Sequence, residues 1–408
     1  MLRVNAERLQ DRLHQLSTVG ATAGCGVTRL ALTDEDRAGR DLLASWMHEA
    51  RLTVRVDDLG NIIGRRAGTD ESLPVLLGSH IDTVRNGGRY DGALGVLGAL
   101  EVVETLNDAA ITTSHPIEIV NWTNEEGVRF EPAMMSSGAV FGRFETAYVY
   151  GRADSDGLRF EDELRRIGYL GEPSNRPDAA AAYLELHIEQ GPVLENAGKP
   201  VGIVDGIVGI TWSEVTWTGQ ADHAGPSPMP LRRDALGAAA RLVTAVEEIG
   251  TREGHPAVAT VGRIVVEPNV INTIPGRVVM SVDFRSLDNE GLDRMMLQLE
   301  DKVRGIGYRT GVDGTVVRFW TSEPTVFAKP VIDAIAAAID ELELPTHRLW
   351  SGAGHDAKYV ADRAPSGMIF VRSQSGLSHC ETEYSAPEDI EAGANVLLHA
   401  TLTVAGAR

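Results

Sequence analysis

The stretch Gly78-Ser79-His80-Ile81-Asp82-Thr83-Val84, continued by Gly87-Gly88-Arg89-Tyr90-Asp91-Gly92, decides how the chain is read. Before it stands the apolar run Leu73-Pro74-Val75-Leu76-Leu77, which reads as a buried strand. After it, the small and apolar residues from Ala93 to Leu100 read as a helix. His80 and Asp82 then sit at the carboxyl end of a strand and Asp91 at the mouth of a helix, where open α/β sheets place their chemistry. If the extended geometry persists, Asp82 falls on the same face as His80 and orients the imidazole, as a carboxylate orients a metal-bound histidine. The alternative is an ordinary strand-to-helix turn with incidental polar residues, and the rest of the chain weighs against it.

Upstream, Asn5 to about Ser17 reads as an amphipathic helix, and Thr33-Asp34-Glu35-Asp36 as the capped start of a second helix through Met47. Leu52 to Asp57 and Asn61 to Arg65 read as a hairpin. Downstream, Ile117 to Trp122 is a strand that ends in Thr123-Asn124-Glu125-Glu126-Gly127, and Ala182 to Ile188 is another, carrying His187 near its end. From about Gly209 the pattern changes to strand, helix, strand, strand, helix, strand, ending near Trp320. That β-α-β-β-α-β series is the signature of a ferredoxin-like split unit. The expected fold is therefore α/β: a mixed-sheet catalytic domain in two parts, 1–209 and 324–408, with an inserted domain at 210–323. The closing part reads as a helix (Lys329 to Leu342), the loop Trp350 to Ala357 with His355, a strand (Ser366 to Val371), Ser378-His379 and a last helix (Ala386 to Leu402).

A formal net charge of −20 argues against a nucleic-acid or anionic-membrane surface. Two cysteines, Cys25 and Cys380, are too few for a disulfide framework or a thiolate zinc site. The charged N-terminal residues and the lack of a long apolar run lead to the expectation of a cytoplasmic protein.

His80, Asp91, Glu126, His187 and His379 are imidazoles and carboxylates in strand-end turns. Nitrogen and oxygen donors without thiolate suit zinc, manganese, cobalt or nickel. Five such groups, with Asp91 as the bridge, suffice for a two-metal centre. Adjacent carboxylates repel unless a cation or proton separates them. Glu126 then binds metal, and Glu125 is the general base that takes a proton from the attacking water. The other histidines, such as His14 and His48, read as surface or core residues.

The motifs His80-Ile81-Asp82-Thr83-Val84, Tyr90-Asp91-Gly92, Asn124-Glu125-Glu126-Gly127, Leu186-His187-Ile188-Glu189-Gln190-Gly191, His223-Ala224-Gly225 and Ser378-His379 resemble, in order and over nearly the whole chain, the M20 metallohydrolases. The histidine at 187 is similar to the hydantoinase/carbamoylase branch, which contains N-carbamoyl-L-amino acid hydrolases, β-ureidopropionases and allantoate amidohydrolases. The resemblance implies two divalent ions per subunit held by the five ligands, Asp82 as their support and Glu125 as base. It further implies that the inserted domain is a lid and forms a homodimer, in which His223 reaches the neighbouring active site and stabilises the oxyanion. Gln190, Asn272, Arg285 and His355 match positions that hold substrate. An arginine at the end of a strand can grip a carboxylate bidentately, although without the family Arg285 reads as a surface ion-pair partner and Asn272 as a turn residue.

The reaction so implied is hydrolysis of the carbamoyl C–N bond of an N-carbamoyl-L-amino acid, giving the amino acid, carbon dioxide and ammonia. Allantoate, or another ureide or N-acyl amide, is the alternative substrate, and a silent metal-binding scaffold the non-enzyme alternative. The chain departs from the family pattern at Pro226-Ser227, where two threonines are common, and at Cys380-Glu381, where Asn- or Ser-Pro is usual. Neither change removes a catalytic group; both bear on the shape of the substrate pocket.

Overall fold

Thirteen of the residues that decide the catalytic sheet, Val75–His80 and Ala182–Ile188, are wholly buried, as strands covered on both faces must be. The computed structural model describes residues 1–177 and 179–407. It divides into two compact units, Met1–Gly206 with Val326–Arg408, and Ile207–Thr325.

In the first unit, the strands Ile117–Trp122, Val75–His80, Ala182–Ile188 and Ser366–Val371 lie side by side and parallel. The hairpin Thr53–Val56 and Ile62–Arg66 extends one edge antiparallel, and Val201–Ile207 extends the other. The sheet is therefore mixed, and the fold is α/β. The helix Ala93–Asp108 is buried along almost its whole length because it packs on the sheet with the helices Ala6–Ser17 and Pro387–Ala405 against it. Its close approach depends on Gly95, where a Cβ would stand 2.5 Å from the Leu186 carbonyl oxygen. The first helix runs Ala6–Ser17, with Asn5 accepting the Arg8 N–H, and the second runs Asp34–Glu49 behind Thr33. Both starts are where the capping residues placed them.

Other elements depart from the sequence reading. The helices Met135–Val140, Thr146–Gly151 and Phe160–Ile167, and the strands Val201–Ile207 and Thr346–Ser351, were not expected. In the inserted series, the strand expected after the first helix is broken into Val258–Thr260 and Ile264–Glu267.

The second unit is an antiparallel sheet in the order Ile264–Glu267, Arg277–Ser286, Gly209–Thr218, Asp313–Ser322, with Val258–Thr260 also on Arg277–Ser286. Helices Ala235–Glu253 and Asn289–Thr310 supply the apolar side chains that share a core with Val215, Trp217, Met280 and Phe284. Alternation along Gly209–Thr218 sends Val215 and Trp217 into that core and leaves Trp212 exposed. Among the described residues, no helix is long and apolar enough to cross a membrane.

Candidate metal centre

The parallel strands Val75–His80 and Ala182–Ile188 each deliver a buried histidine at their carboxyl ends, His80 as the last residue and His187 as the last but one. Between strand and helix, Gly92 turns with φ 63°, and a Cβ there would collide with the His80 ring at 2.4 Å. This turn holds Asp91 against three imidazoles. Asp91 Oδ1 lies 3.2 Å from His187 Nε2 and 3.7 Å from His80 Nε2, while Oδ2 lies 3.2 Å from His379 Nε2. His379 Nε2 in turn stands 3.4 Å from Glu126 Oε2. The donor atoms form two triads that share Asp91: His80, Asp91 and His187, and Asp91, Glu126 and His379, each within 4.8 Å.

The donor set fits divalent cations. Glu126 Oε1 is buried without a hydrogen-bond partner, so it is left for a ligand that is not part of the chain. Burial, and then the negative charge of Asp91 and Asp82, push the Glu126 carboxyl well above its ordinary range, a strain that a cation relieves. Burial lowers His80 to about 4, so its ring is neutral and ready to ligate. A third grouping, Glu185, His187 and His355, is of a different kind. The Glu185 oxygens already accept from Ser79 Oγ at 2.8 Å, Tyr183 Oη at 3.0 Å and the Ala357 N–H at 3.1 Å, so Glu185 stiffens the deep wall.

Glu125 belongs to neither triad. Its Oε2 stands 3.5 Å from His80 Nε2, and burial, with the carboxylates of Asp356 and Glu126, raises its proton affinity well above a usual glutamate. That is the property a general base near neutrality needs. Asp82 acts differently from the sequence expectation. It is its backbone oxygen, 2.9 Å from His80 Nδ1, that contacts the imidazole, while the carboxylate is 3.9 Å away. The carboxylate instead accepts the Glu125 N–H at 3.2 Å and the Glu126 N–H at 3.3 Å. The strand ends at His80, so the extended alternation that would bring the Asp82 side chain to the ring does not continue. Asp82 therefore holds the backbone of Glu125 and Glu126.

Gln190 is drawn into the centre: its Nε2 donates to Asp91 Oδ2 at 2.9 Å and to Ser378 Oγ at 3.1 Å. His355 is 2% exposed, with its ring centroid 4.4 Å from that of His187 and its Nε2 2.8 Å from Ser351 Oγ. Asn124, Gln190 and His379 all adopt left-handed backbone conformations, φ 55° to 59°, as residues held by function often do.

His223, Asn272 and Arg285 lie in the second unit. A two-residue ladder pairs His223 with Thr273, and the Ala224 N–H donates to the Asn272 carbonyl at 2.9 Å, so the segments that carry His223 and Asn272 run side by side. The Gly225 N–H donates to His223 Nδ1 at 3.0 Å. With Nδ1 used as an acceptor, Nε2 is the ring nitrogen left to donate, and the residue is exposed. Arg285 is gripped by Asp283, Nη2 to Oδ2 at 2.9 Å and Nε to Oδ1 at 3.3 Å. Sequence reading gave no role to Glu185, Ser378 or Glu383. Ser378 adjoins the candidate ligand His379 in sequence, a local signal that Glu185 and Glu383 lack.

Residues 76–403 match the profile of Peptidase family M20/M25/M40. A protein from Rhizobium meliloti described as an N-carbamoyl-L-amino-acid amidohydrolase is 43% identical over 404 residues, 99% of this chain and 97% of the relative. An allantoate amidohydrolase from Bacillus subtilis is 34% identical, with 95% of each chain covered. The crystal structure of an amidase of the hydantoinase/carbamoylase family from Burkholderia multivorans superposes with a TM-score of 0.96 at 47% identity, over 99% of this chain and 98% of that one. With two triads meeting on Asp91 and this likeness from end to end, the chain belongs to peptidase family M20/M25/M40, in its hydantoinase/carbamoylase branch.

Proposed function

We propose that the chain hydrolyses the carbamoyl C–N bond of N-carbamoyl-L-amino acids, releasing the amino acid, carbon dioxide and ammonia. The observation that carries this reading is a buried Glu125 carboxylate outside two triads that share Asp91. The full-length likeness to a relative described as an N-carbamoyl-L-amino-acid amidohydrolase supports the substrate class.

His80, Asp91 and His187 would hold one divalent ion, and Asp91, Glu126 and His379 the other. Bound there, zinc, manganese, cobalt or nickel supplies Lewis-acid polarisation of the carbonyl and acidifies the attacking water. Glu125 takes the proton of that water and passes it to the leaving nitrogen, and its raised proton affinity suits both steps. Asp82 keeps Glu125 and Glu126 in register through their backbone N–H groups. His223 Nε2–H is the oxyanion donor, acting in trans in a homodimer, and a positioned donor of this kind is worth about 3 kcal/mol. Arg285, preset by Asp283, receives the substrate carboxylate, and Gln190, Asn272 and His355 position the rest.

The second unit is assigned as a ferredoxin-like lid and dimerisation domain. Its chain order and antiparallel sheet support this, as does the exposed cluster of Trp212 and Phe319 on that sheet. Allantoate is the second reading, favoured by the relative of that description, because it carries the same carboxylate and ureido groups. Ammonia release by metal-loaded protein from N-carbamoyl-L-amino acids, their D forms, N-carbamoyl-β-alanine and allantoate tests the assignment. Preference for the L forms is expected, and turnover of allantoate alone would replace the substrate while leaving the residue roles in place.

A further inference from the structure

Glu383 stands four residues after His379 and belongs to neither triad, yet its carboxylate is committed to the centre. The residue is 4% exposed. Oε1 accepts the N–H of Tyr90 at 3.0 Å and of Asp91 at 3.2 Å, and Oε2 accepts Ser378 Oγ at 2.8 Å. Room for it exists only because residue 88 is glycine: a Cβ there would lie 1.9 Å from Oε1. Ser378 is also bonded by Gln190, which holds Asp91 Oδ2 from the other side. One carboxylate thus grips the backbone of the shared ligand and the residue next to His379. Glu381 anchors the same segment elsewhere, accepting Thr22 Oγ1 and packing over Gly24 and Gly26. A neutral side chain of equal length offers a single acceptor oxygen and cannot serve all three donors.

We propose that Glu383 is a positioning residue of the metal centre, fixing the bridging orientation of Asp91 and its separation from His379, and so setting the affinity of the triad Asp91, Glu126 and His379 for its ion. This rests on the two-ion reading above. Partners that orient ligands in this way typically contribute roughly 10–100-fold in metal affinity.

The test is chelator competition for Co(II), together with the absorption spectrum of the Co(II)-loaded protein, on wild type, Glu383→Ala, Glu383→Gln and Ser378→Ala. Glu383→Ala should bind the weaker ion roughly 10–100-fold less tightly and change the spectrum when measured well below the melting temperature of its metal-free form. Glu383→Gln should recover part of the loss, because its carbonyl still faces two N–H groups, and Ser378→Ala should lose least. Wild-type affinity and spectrum in a folded Glu383→Ala protein would overturn the proposal. Should that variant not fold, wild-type affinity in both Glu383→Gln and Ser378→Ala would overturn it instead. A wild type that binds no Co(II) would remove the two-ion reading itself, a different result from equal binding by all four proteins.

Discussion

At the scale of single residues, Asp82 separates what the sequence discloses from what only folding decides. Its spacing from His80 marked it as the carboxylate that orients that imidazole, but its carboxylate accepts instead from the Glu125 and Glu126 N–H groups, more than forty positions away. The five candidate ligands drew attention in the sequence because each is an imidazole or carboxylate at the end of an expected strand or in the turn after one, a context visible locally. Glu383 was not, because the Tyr90 N–H it accepts lies 293 positions away and no local pattern announces that pairing. Replacing Asp82 with alanine leaves two buried N–H groups unpaired and frees the Glu125–Glu126 turn. Metal affinity by chelator competition should fall roughly 10–100-fold, with turnover falling in parallel. An unchanged affinity would leave Asp82 with no role in the centre.

Among elements, length and burial decide what could be read. Val75–His80 opens on the apolar run Val75-Leu76-Leu77 and ends in a glycine-rich turn, Ala182–Ile188 is followed by the Gly191-Pro192 turn signal, and Ala6–Ser17 carries both a cap and a periodic face. Met135–Val140 and Thr146–Gly151 have six residues each, too short for a helical period to show. Val201–Ile207 contains two glycines and an aspartate, which dilute the strand signal, and it is a strand because partners distant in sequence, Ser366–Val371 among them, lie beside it. The packing of Ala93–Asp108 on the sheet makes a prediction of its own. Gly95→Ala places a methyl group 2.5 Å from the Leu186 carbonyl oxygen and 2.6 Å from Ser79 Cβ. Overpacking of this kind costs about 1–3 kcal/mol, so denaturant unfolding of the first unit should shift by that amount. Because the same helix starts beside Asp91, metal affinity should fall with it.

For the molecule as a whole, the centre couples stability to pH. Burial raises Asp82 to about 7 and lifts Glu125 and Glu126 well above their usual range. In the metal-free protein these carboxyls hold protons that the unfolded chain has released. Their contribution to stability is present below the unfolded carboxylate pKa of about 4 and is lost as pH rises through about 7 and beyond. Cations need the deprotonated ligands and gain affinity over the same window. The rise in melting temperature on adding metal should therefore be larger at about pH 8 than at about pH 5.5, as thermal scans with and without chelator would show. An increment independent of pH would mean that these carboxyls do not hold the ions. Light scattering should find a dimer, as the exposed Trp212 and Phe319 on the second unit suggest. The measurement that bears most directly on the whole account compares wild type with Glu125→Gln, in bound metal and in ammonia release from an N-carbamoyl-L-amino acid. Two ions per chain in both proteins, with turnover reduced by at least about 100-fold in the variant, is the predicted result. Equal turnover by the two, with metal bound, would contradict it.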